Sequence, residues 1–198
     1  MNYFLDFNII EFNKFITIQN YLHNRAIKNN SNYIIFASHY PVFTKGINEK
    51  NFDFAMQVDR GGSITYFDEG SFMIYFILKV DNPPMFFRKV IKILKKFFSP
   101  YPQIKYDTTK AGFYIQNKKI CSLGFSYKKG YSKHGVSIHL NNNLKKFNSV
   151  TPCNLKGVIA TSLYNENIKL DRNNVKMKII KLLKEEFDET KSKSTSTY

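Results

Sequence analysis

The sequence predicts an α+β fold, a mixed and largely antiparallel sheet flanked by helices. Three observations lead there. Apolar residues recur at helical spacing in three stretches: near the N-terminus, after Pro83-Pro84, and after Asn173. Between them, short apolar or alternating runs have the length of strands. The chain has 198 residues, 43% of them hydrophobic, with no Pro/Gly/Ser-rich linker, so a single core is expected over residues 1–190. A Lys-Ser-Lys-Ser-Thr-Ser-Thr stretch from Lys191 reads as a frayed polar tail, 191–198.

A short strand at Tyr3 to Asp6 opens the chain. Phe12, Phe15, Ile16, Leu22 and Ala26 then give a helix from about Ile9 to Ile27, which Asn29-Asn30-Ser31-Asn32 breaks. Tyr33 to Ser38 is a buried strand, and Gly46 ends a second one. Phe72 to Leu78 is a strand whose seven consecutive apolar residues mark a central position, and Pro83-Pro84 stops it and opens the next helix. There Phe87, Val90, Ile91, Leu94 and Phe98 form one face, with Lys89, Lys92, Lys95 and Lys96 on others. This basic amphipathic pattern also fits a membrane or calmodulin-target surface, but it is equally that of a helix covering a sheet, the reading adopted here. Residues Gly112 to Tyr127 alternate as a hairpin with Asn117-Lys118 near the turn; strands follow at His134 to Leu140 and Val158 to Leu163. Asn173 or Asn174 caps a last helix with Val175, Ile179, Leu182 and Leu183 inward.

Thirty basic and fifteen acidic residues give a net charge of +15, which attracts anionic partners over long range. The basic residues are scattered, without zinc-finger spacing or an RNP-like aromatic motif, so acidic protein partners explain the charge equally well, and no nucleic-acid partner is expected. Two cysteines, Cys121 and Cys153, form no disulfide framework and no CxxC metal motif, which suits a reducing compartment. No apolar run approaches the roughly 20 residues of a bilayer span. Asp6 and Glu11 stand where a signal peptide carries positive charge. A soluble, cytoplasmic protein is expected, without membrane attachment.

Chemistry concentrates in three places. Asp59-Arg60-Gly61-Gly62-Ser63-Ile64-Thr65-Tyr66 sets two glycines after an arginine, letting the backbone turn sharply and approach a ligand closely, although an ordinary hairpin turn has the same look. Pro152 precedes Cys153; the fixed φ of proline directs its neighbour, and nearby lysines favour a thiolate, while the alternative is a buried, inert cysteine. Lys119 lies beside Lys118 near the hairpin turn, and the two point to opposite faces of a strand.

These stretches resemble the signatures of the lipoyl (octanoyl) transferases, a family of the biotin/lipoate protein ligase superfold. The loop is similar to that family's Arg-Gly-Gly-x-x-Thr-Tyr-His-Gly-Pro-Gly-Gln: Arg60, Gly61, Gly62, Thr65, Tyr66 and Gly70 match, whereas Phe67, Asp68, Glu69 and Ser71 do not. His39-Tyr40-Pro41-Val42-Phe43-Thr44-x-Gly46 resembles His-x-Pro-Val-Tyr-Thr-x-Gly. Lys119-Ile120-Cys121-Ser122-Leu123-Gly124 resembles Lys-Ile-x-x-(Ile/Leu)-Gly, and His134-Gly135 the family's His-Gly, although His139 stands two residues after Ser137 where the family has asparagine. Pro152-Cys153 with Thr161-Ser162-Leu163 resembles Pro-Cys-Gly-Ile-x-x-x-x-x-Thr-Ser-Leu, with Asn154 for glycine.

The resemblance implies a biotin/lipoate-ligase-like catalytic domain in which Cys153 is the acyl-accepting nucleophile and Lys119 the proton shuttle. It further implies that Arg60, Gly61, Gly62, Ser63, Thr65, Tyr66, Gly70, Ser122, Leu123, Gly124, His134, Gly135 and Ser137 line the substrate site. His23 and His39 are read as structural. The implied reaction moves octanoyl from octanoyl-acyl carrier protein to a lysine of lipoyl domains, those of 2-oxo-acid dehydrogenase E2 subunits and of glycine cleavage H protein. It needs no cofactor or metal, and a monomer suffices. Two other readings stand beside it: an ATP-dependent lipoate-protein ligase, towards which Tyr66-x-Asp68-x-Gly70 leans, and a non-catalytic basic binding module of the same fold.

Overall fold

The computed structural model of the chain describes residues 2–150 and 158–192, with side chains as far as 187. The Pro152-Cys153 motif and residues 193–198 of the expected tail lie outside the described residues.

β1 (Asn2–Ile10) runs through α1 (Phe12–Asn29) into β2 (Asn32–His39), and the two strands pair in parallel. Asn30 ends α1 in the left-handed conformation, φ 49°, its N–H returning to Ala26 O, so the asparagine cluster acts as a C-cap. The first strand is longer than expected and irregular: its register shifts between Asp6 and Ile9, Asn8 has φ 51°, and Asp6 accepts from Arg172 at 2.6 Å and Lys176 at 2.8 Å.

β6 (Ser71–Ile77) pairs antiparallel with β2 on one side and with β10 (Tyr131–His139) on the other. β9 (Lys118–Lys128), β8 (Gly112–Ile115) and the short β7 (Lys105–Asp107) continue the sheet antiparallel, giving the order β1-β2-β6-β10-β9-β8-β7. β11 (Ile159–Ala160) adds in parallel beside β9. A second sheet of three short strands, β4 (Met56–Gln57), β3 (Val42–Lys45) and β5 (Ile64–Phe67), completes the mixed, largely antiparallel architecture the sequence predicts.

α1 covers one face of the large sheet; α2 (Pro83–Phe98) and α4 (Arg172–Ser192) cover the other. Odd residues of β6, Met73, Tyr75 and Ile77, pack toward Phe12, Phe15, Leu22 and Ala26 of α1. Even residues Phe72, Ile74 and Phe76 pack toward α2 and α4. This double burial is why β6 reads as an unbroken apolar run rather than an alternating one. Each such side chain contributes about 1.5–3 kcal/mol when fully buried.

Three details differ from expectation. The buried stripe of α2 is Phe86, Val90, Ile93, Leu94, Phe97 and Phe98, leaving Phe87 and Ile91 half-buried at its border. Asp171, not an asparagine, caps α4 by accepting from the Asn174 N–H at 2.8 Å; an adjacent Asp-Arg-Asn-Asn run offers several capping oxygens, and spacing alone does not choose among them. The strand expected over 158–163 is only Ile159–Ala160, because Thr161 to Asn167 turn back over the end of β10. No described helix is long and apolar enough to cross a membrane.

Candidate active site

A cavity of about 60 Å³ lies between the large sheet and the loop that leads from β4 into β5. β6, β9 and β10 supply one wall and residues 58–67 the other. It contains Arg60, Gly61, Gly62, Thr65, Lys119, Ser122, Leu123, Gly124, His134, Gly135 and Ser137, eleven residues singled out from sequence.

The loop is braced from within. Arg60 Nη2 donates to Thr44 O at 2.9 Å and Thr44 Oγ1 at 3.0 Å, and its Nη1 donates to Gly61 O at 2.9 Å, so the guanidinium holds the turn closed. Gly61 N–H reaches across to Phe125 O on β9 at 3.2 Å. Gly46 N–H donates to Ser63 O and Ile47 N–H to Arg60 O, tying the turn to the end of β3. Gly62 has φ +82°, and a side chain on Gly46 would come within 1.8 Å of Gly62 O, so two glycines are needed for this approach.

At the entrance to the loop, Asp59 accepts from His134 Nε2 at 2.6 Å and from Lys133 Nζ at 2.9 Å. The bond from His134, with Lys133 adding to it against the cost of burial, keeps the Asp59 carboxyl well below the usual carboxylate range. Burial lowers the His134 imidazole below its ordinary value, although Asp59 opposes this. His134 also sits at φ +64°, a conformation that residues other than glycine rarely adopt. This pair joins residues 75 apart in sequence and clamps the loop to β10.

Lys119 is 4% exposed and lines the cavity with its ammonium 5.5 Å from the Tyr114 ring centre. A bulge places it there. Phe113 pairs with Cys121 but Tyr114 with Lys119, so Ile120 is an extra residue that reverses the alternation. Lys119 and Ser122 therefore share the cavity, while Ile120 and Cys121 enter the core. Gly112 makes the room, since a Cβ there would meet Lys119 Cε at 2.7 Å. Full burial pushes the Cys121 thiol far above the ordinary thiol range, against a nucleophilic role. Lys118 points elsewhere and bonds Glu166 Oε1 at 2.6 Å.

Cys153 lies outside the described residues, but Ala160 and Thr161 farther along the chain lie beside the lysine. Ala160 pairs with Lys119, and the Thr161 N–H donates to Lys119 O at 2.9 Å.

Ser63, Tyr66 and Gly70 are not among the cavity-lining residues. Ser63 Oγ donates to Glu49; Tyr66 is buried against Phe43 and Phe147; Gly70 packs on the Asn141 backbone. Of the positions departing from the resembled signature, Phe67 lines the cavity. Asp68 instead accepts from Asn142 Nδ2, Asn143 N–H and Gly70 N–H, shaping a turn, and Glu69 is exposed. His139 is buried with Nδ1 on Thr161 O at 3.0 Å, outside the lining.

The apolar end is formed by Phe12, Phe67, Met73 and Tyr75; the resemblance pointed to the position of Phe67, whereas sequence reasoning missed Phe12, Met73 and Tyr75. Tyr75 contacts His39 Nε2 at 2.7 Å, while His39 Nδ1 sits 2.9 Å from Ile10 O. A carbonyl only accepts, so Nδ1 carries the proton and Tyr75 donates to Nε2. Strand alternation put Met73 and Tyr75 on one face, a signal that a run of seven apolar residues hides. Among the described residues, no three His, Cys, Asp or Glu side chains gather as a metal site.

The family described as the lipoyl protein ligase A/B catalytic domain matches residues 14–184. An octanoyltransferase of Buchnera aphidicola is 34% identical over 172 residues, covering 78% of this chain and 82% of its own. An octanoyltransferase of Wigglesworthia glossinidia brevipalpis is 34% identical over 164 residues, covering 76% of each. Among solved structures, a bipartite lipoate protein ligase of Thermoplasma acidophilum, described with its E2 lipoyl domain, superposes with a TM-score of 0.71 at 14% identity, covering 95% of this chain and 84% of its own; the likeness is one of fold. With a family match over most of its length and relatives of this identity, the chain belongs to the lipoyl protein ligase A/B catalytic-domain family, among its octanoyltransferases, which are acyltransferases.

Proposed function

We propose that this protein, acting as a cytoplasmic monomer with residues 1–190 as one catalytic unit, transfers octanoyl from octanoyl-acyl carrier protein to a lysine of a lipoyl domain. Its acceptors are E2 subunits of 2-oxo-acid dehydrogenases and the glycine cleavage H protein. Lys119 takes the proton of the Cys153 thiol, and the thiolate attacks the thioester carbonyl. The carbon–sulfur bond to the carrier breaks, a new one to Cys153 forms, and Lys119 returns the proton to the leaving thiol. In the second half, the acceptor amine attacks the Cys153 thioester, and its proton passes through Lys119 to the departing cysteine. The Arg60-to-Thr65 loop and β9 enclose the acyl chain, which excludes water from the intermediate.

One observation carries this reading: a nearly buried lysine lines a narrow cavity beneath the Arg-Gly-Gly loop, with Ala160 of β11, seven residues after Cys153, paired beside it. The octanoyltransferase relatives support the acyl group. Intact mass spectrometry after incubation with octanoyl carrier protein, without acceptor, nucleotide or metal, tests it. An octanoyl adduct that Cys153→Ala abolishes and that a lipoyl domain discharges is the expected result. Modification that instead needs ATP and free octanoate or lipoate, and survives Cys153→Ala, would establish the ligase reading.

A further inference from the structure

The cavity has an outlet. A surface groove shares Gly61, Gly62, Lys119, Leu123 and Gly124 with it and continues between Pro83, Phe87 and Tyr127. At Phe87 this groove joins a second one, which runs along α2 past Arg88, Ile91, Lys92, Lys95 and Tyr106. The two meet at Phe87 as one trough, mainly apolar on the Lys119 side, where Thr109 and Lys110 are its polar margin, and basic farther out.

Charge along the outer half is uneven. Glu186 of α4 pairs with Lys92 at 2.8 Å, and Glu185 lies 3.9 Å from Lys96, offsetting two of the cations. Asp107, on the opposite wall, is engaged by Lys110 and Thr109. Arg88 and Lys95 are exposed, and Lys95 lies over the Tyr106 ring at 5.7 Å. Helical rise separates Phe87 from Lys95 by about 12 Å. An acidic body seated on this basic end must therefore reach Lys119 past Phe87 through a mainly apolar channel. A lysine side chain on a folded domain is too short for that, whereas a thioester on a long flexible arm is not.

We infer that the trough from Lys119 over Phe87 and along α2 is the docking site of the acyl donor, an acidic carrier whose arm lies in the apolar half and whose body rests on Arg88 and Lys95. The inference rests on the proposed transferase reaction and names where that donor binds. The acceptor domain then approaches from another side of the cavity.

Steady-state transfer by the full chain tests this with Arg88→Glu/Lys95→Glu, both exposed changes, at about 50 mM salt, where such attraction is least screened. The apparent KM for octanoyl carrier protein rises about tenfold or more, while kcat stays within roughly twofold. Acylation by the small thioester octanoyl-N-acetylcysteamine, which has no acidic body, is unchanged. Charge reversal at Lys14 and Lys28, exposed on α1 across the sheet, leaves the donor KM unchanged. An unaltered donor KM overturns the inference. So does an effect on the lipoyl-domain KM instead, an equal effect of the α1 pair, or loss of activity with the small thioester. A wild-type chain that ignores octanoyl carrier protein refutes the transferase reaction itself, an outcome separate from a wild-type chain that uses it and a variant that does so equally well.

Discussion

Gly46→Ala reaches the candidate site without touching it. The new Cβ would stand 1.8 Å from Gly62 O, 2.9 Å from Gly62 C and 3.0 Å from Arg60 O. Cβ contacts below 3.0 Å essentially do not occur, so the Gly62 carbonyl must retreat by at least 3.0 − 1.8 = 1.2 Å. Overpacking of this kind costs about 1–3 kcal/mol. The retreat also loosens the Gly46–Ser63 and Ile47–Arg60 backbone hydrogen bonds, 3.2 and 3.0 Å long, each contributing about 1 kcal/mol. The loop lies at the surface and yields more readily than the sheet, so the fold survives with about 2–4 kcal/mol less stability. Displacement of a cavity wall by an ångström costs about a hundredfold in rate. Urea denaturation reads the first effect, and kcat/KM for octanoyl transfer reads the second. Gly130→Ala is the control: unlike Gly46 it has a positive φ, +76°, so it carries backbone strain, but nothing lies within 4 Å of its Cβ and activity should hold. Wild-type stability and rate in Gly46→Ala would refute the claim that this contact sets the loop.

Three further outcomes are expected. Burial holds His39 and His139 near a pKa of about 4, against about 6.5 when unfolded, so the unfolded chain binds more protons between these values. Stability therefore falls as pH drops from 6.5 toward 4, by about 3 kcal/mol per histidine, and urea melts at pH 7 and 4.5 should show a shallower loss in His139→Asn; an identical loss in that variant contradicts this. Lys119→Ala should slow octanoyl transfer by about two to four decades, while Lys118→Ala, which loses only its pair with Glu166, stays near wild type; equal effects would make Lys119 part of the basic surface. Cys121 should resist iodoacetamide in the native protein and react once urea unfolds it, and rapid native labelling followed by peptide mapping would show the core to be open there.

Much of this was legible in the sequence because local chemistry and tertiary role agree. Pro83-Pro84 starts α2, although the central strand already ends at Ile77, and the asparagine run ends α1 through a left-handed Asn30. The opposed directions of Lys118 and Lys119 followed from strand alternation. What escaped depends on contacts distant in sequence. The bulge at Ile120, which turns Ser122 toward the cavity and Cys121 away, appears only when β8 is set against β9. Tyr75 reads as one more apolar-run residue until His39, 36 positions earlier, is brought to its hydroxyl. Ser63, Tyr66 and Gly70 share the loop's signature, yet their side chains or backbone meet Glu49, Phe43, Phe147 and Asn141, contacts that hold the loop rather than line the cavity.

β1 is the open border of a sheet whose chemistry sits four strands away, and nine residues of Asn-Tyr-Phe-Leu-Asp-Phe-Asn-Ile-Ile would be an inviting template for another molecule's strand. The break in register at Asp6 to Ile9 and the left-handed Asn8 interrupt that template midway. Arg172 and Lys176, drawn to Asp6, set two cations against the same border. Asp6 thus does more than fasten α4: it helps keep an exposed edge from recruiting a neighbour, and its loss would be felt first as turbidity in concentrated solution rather than as slower turnover.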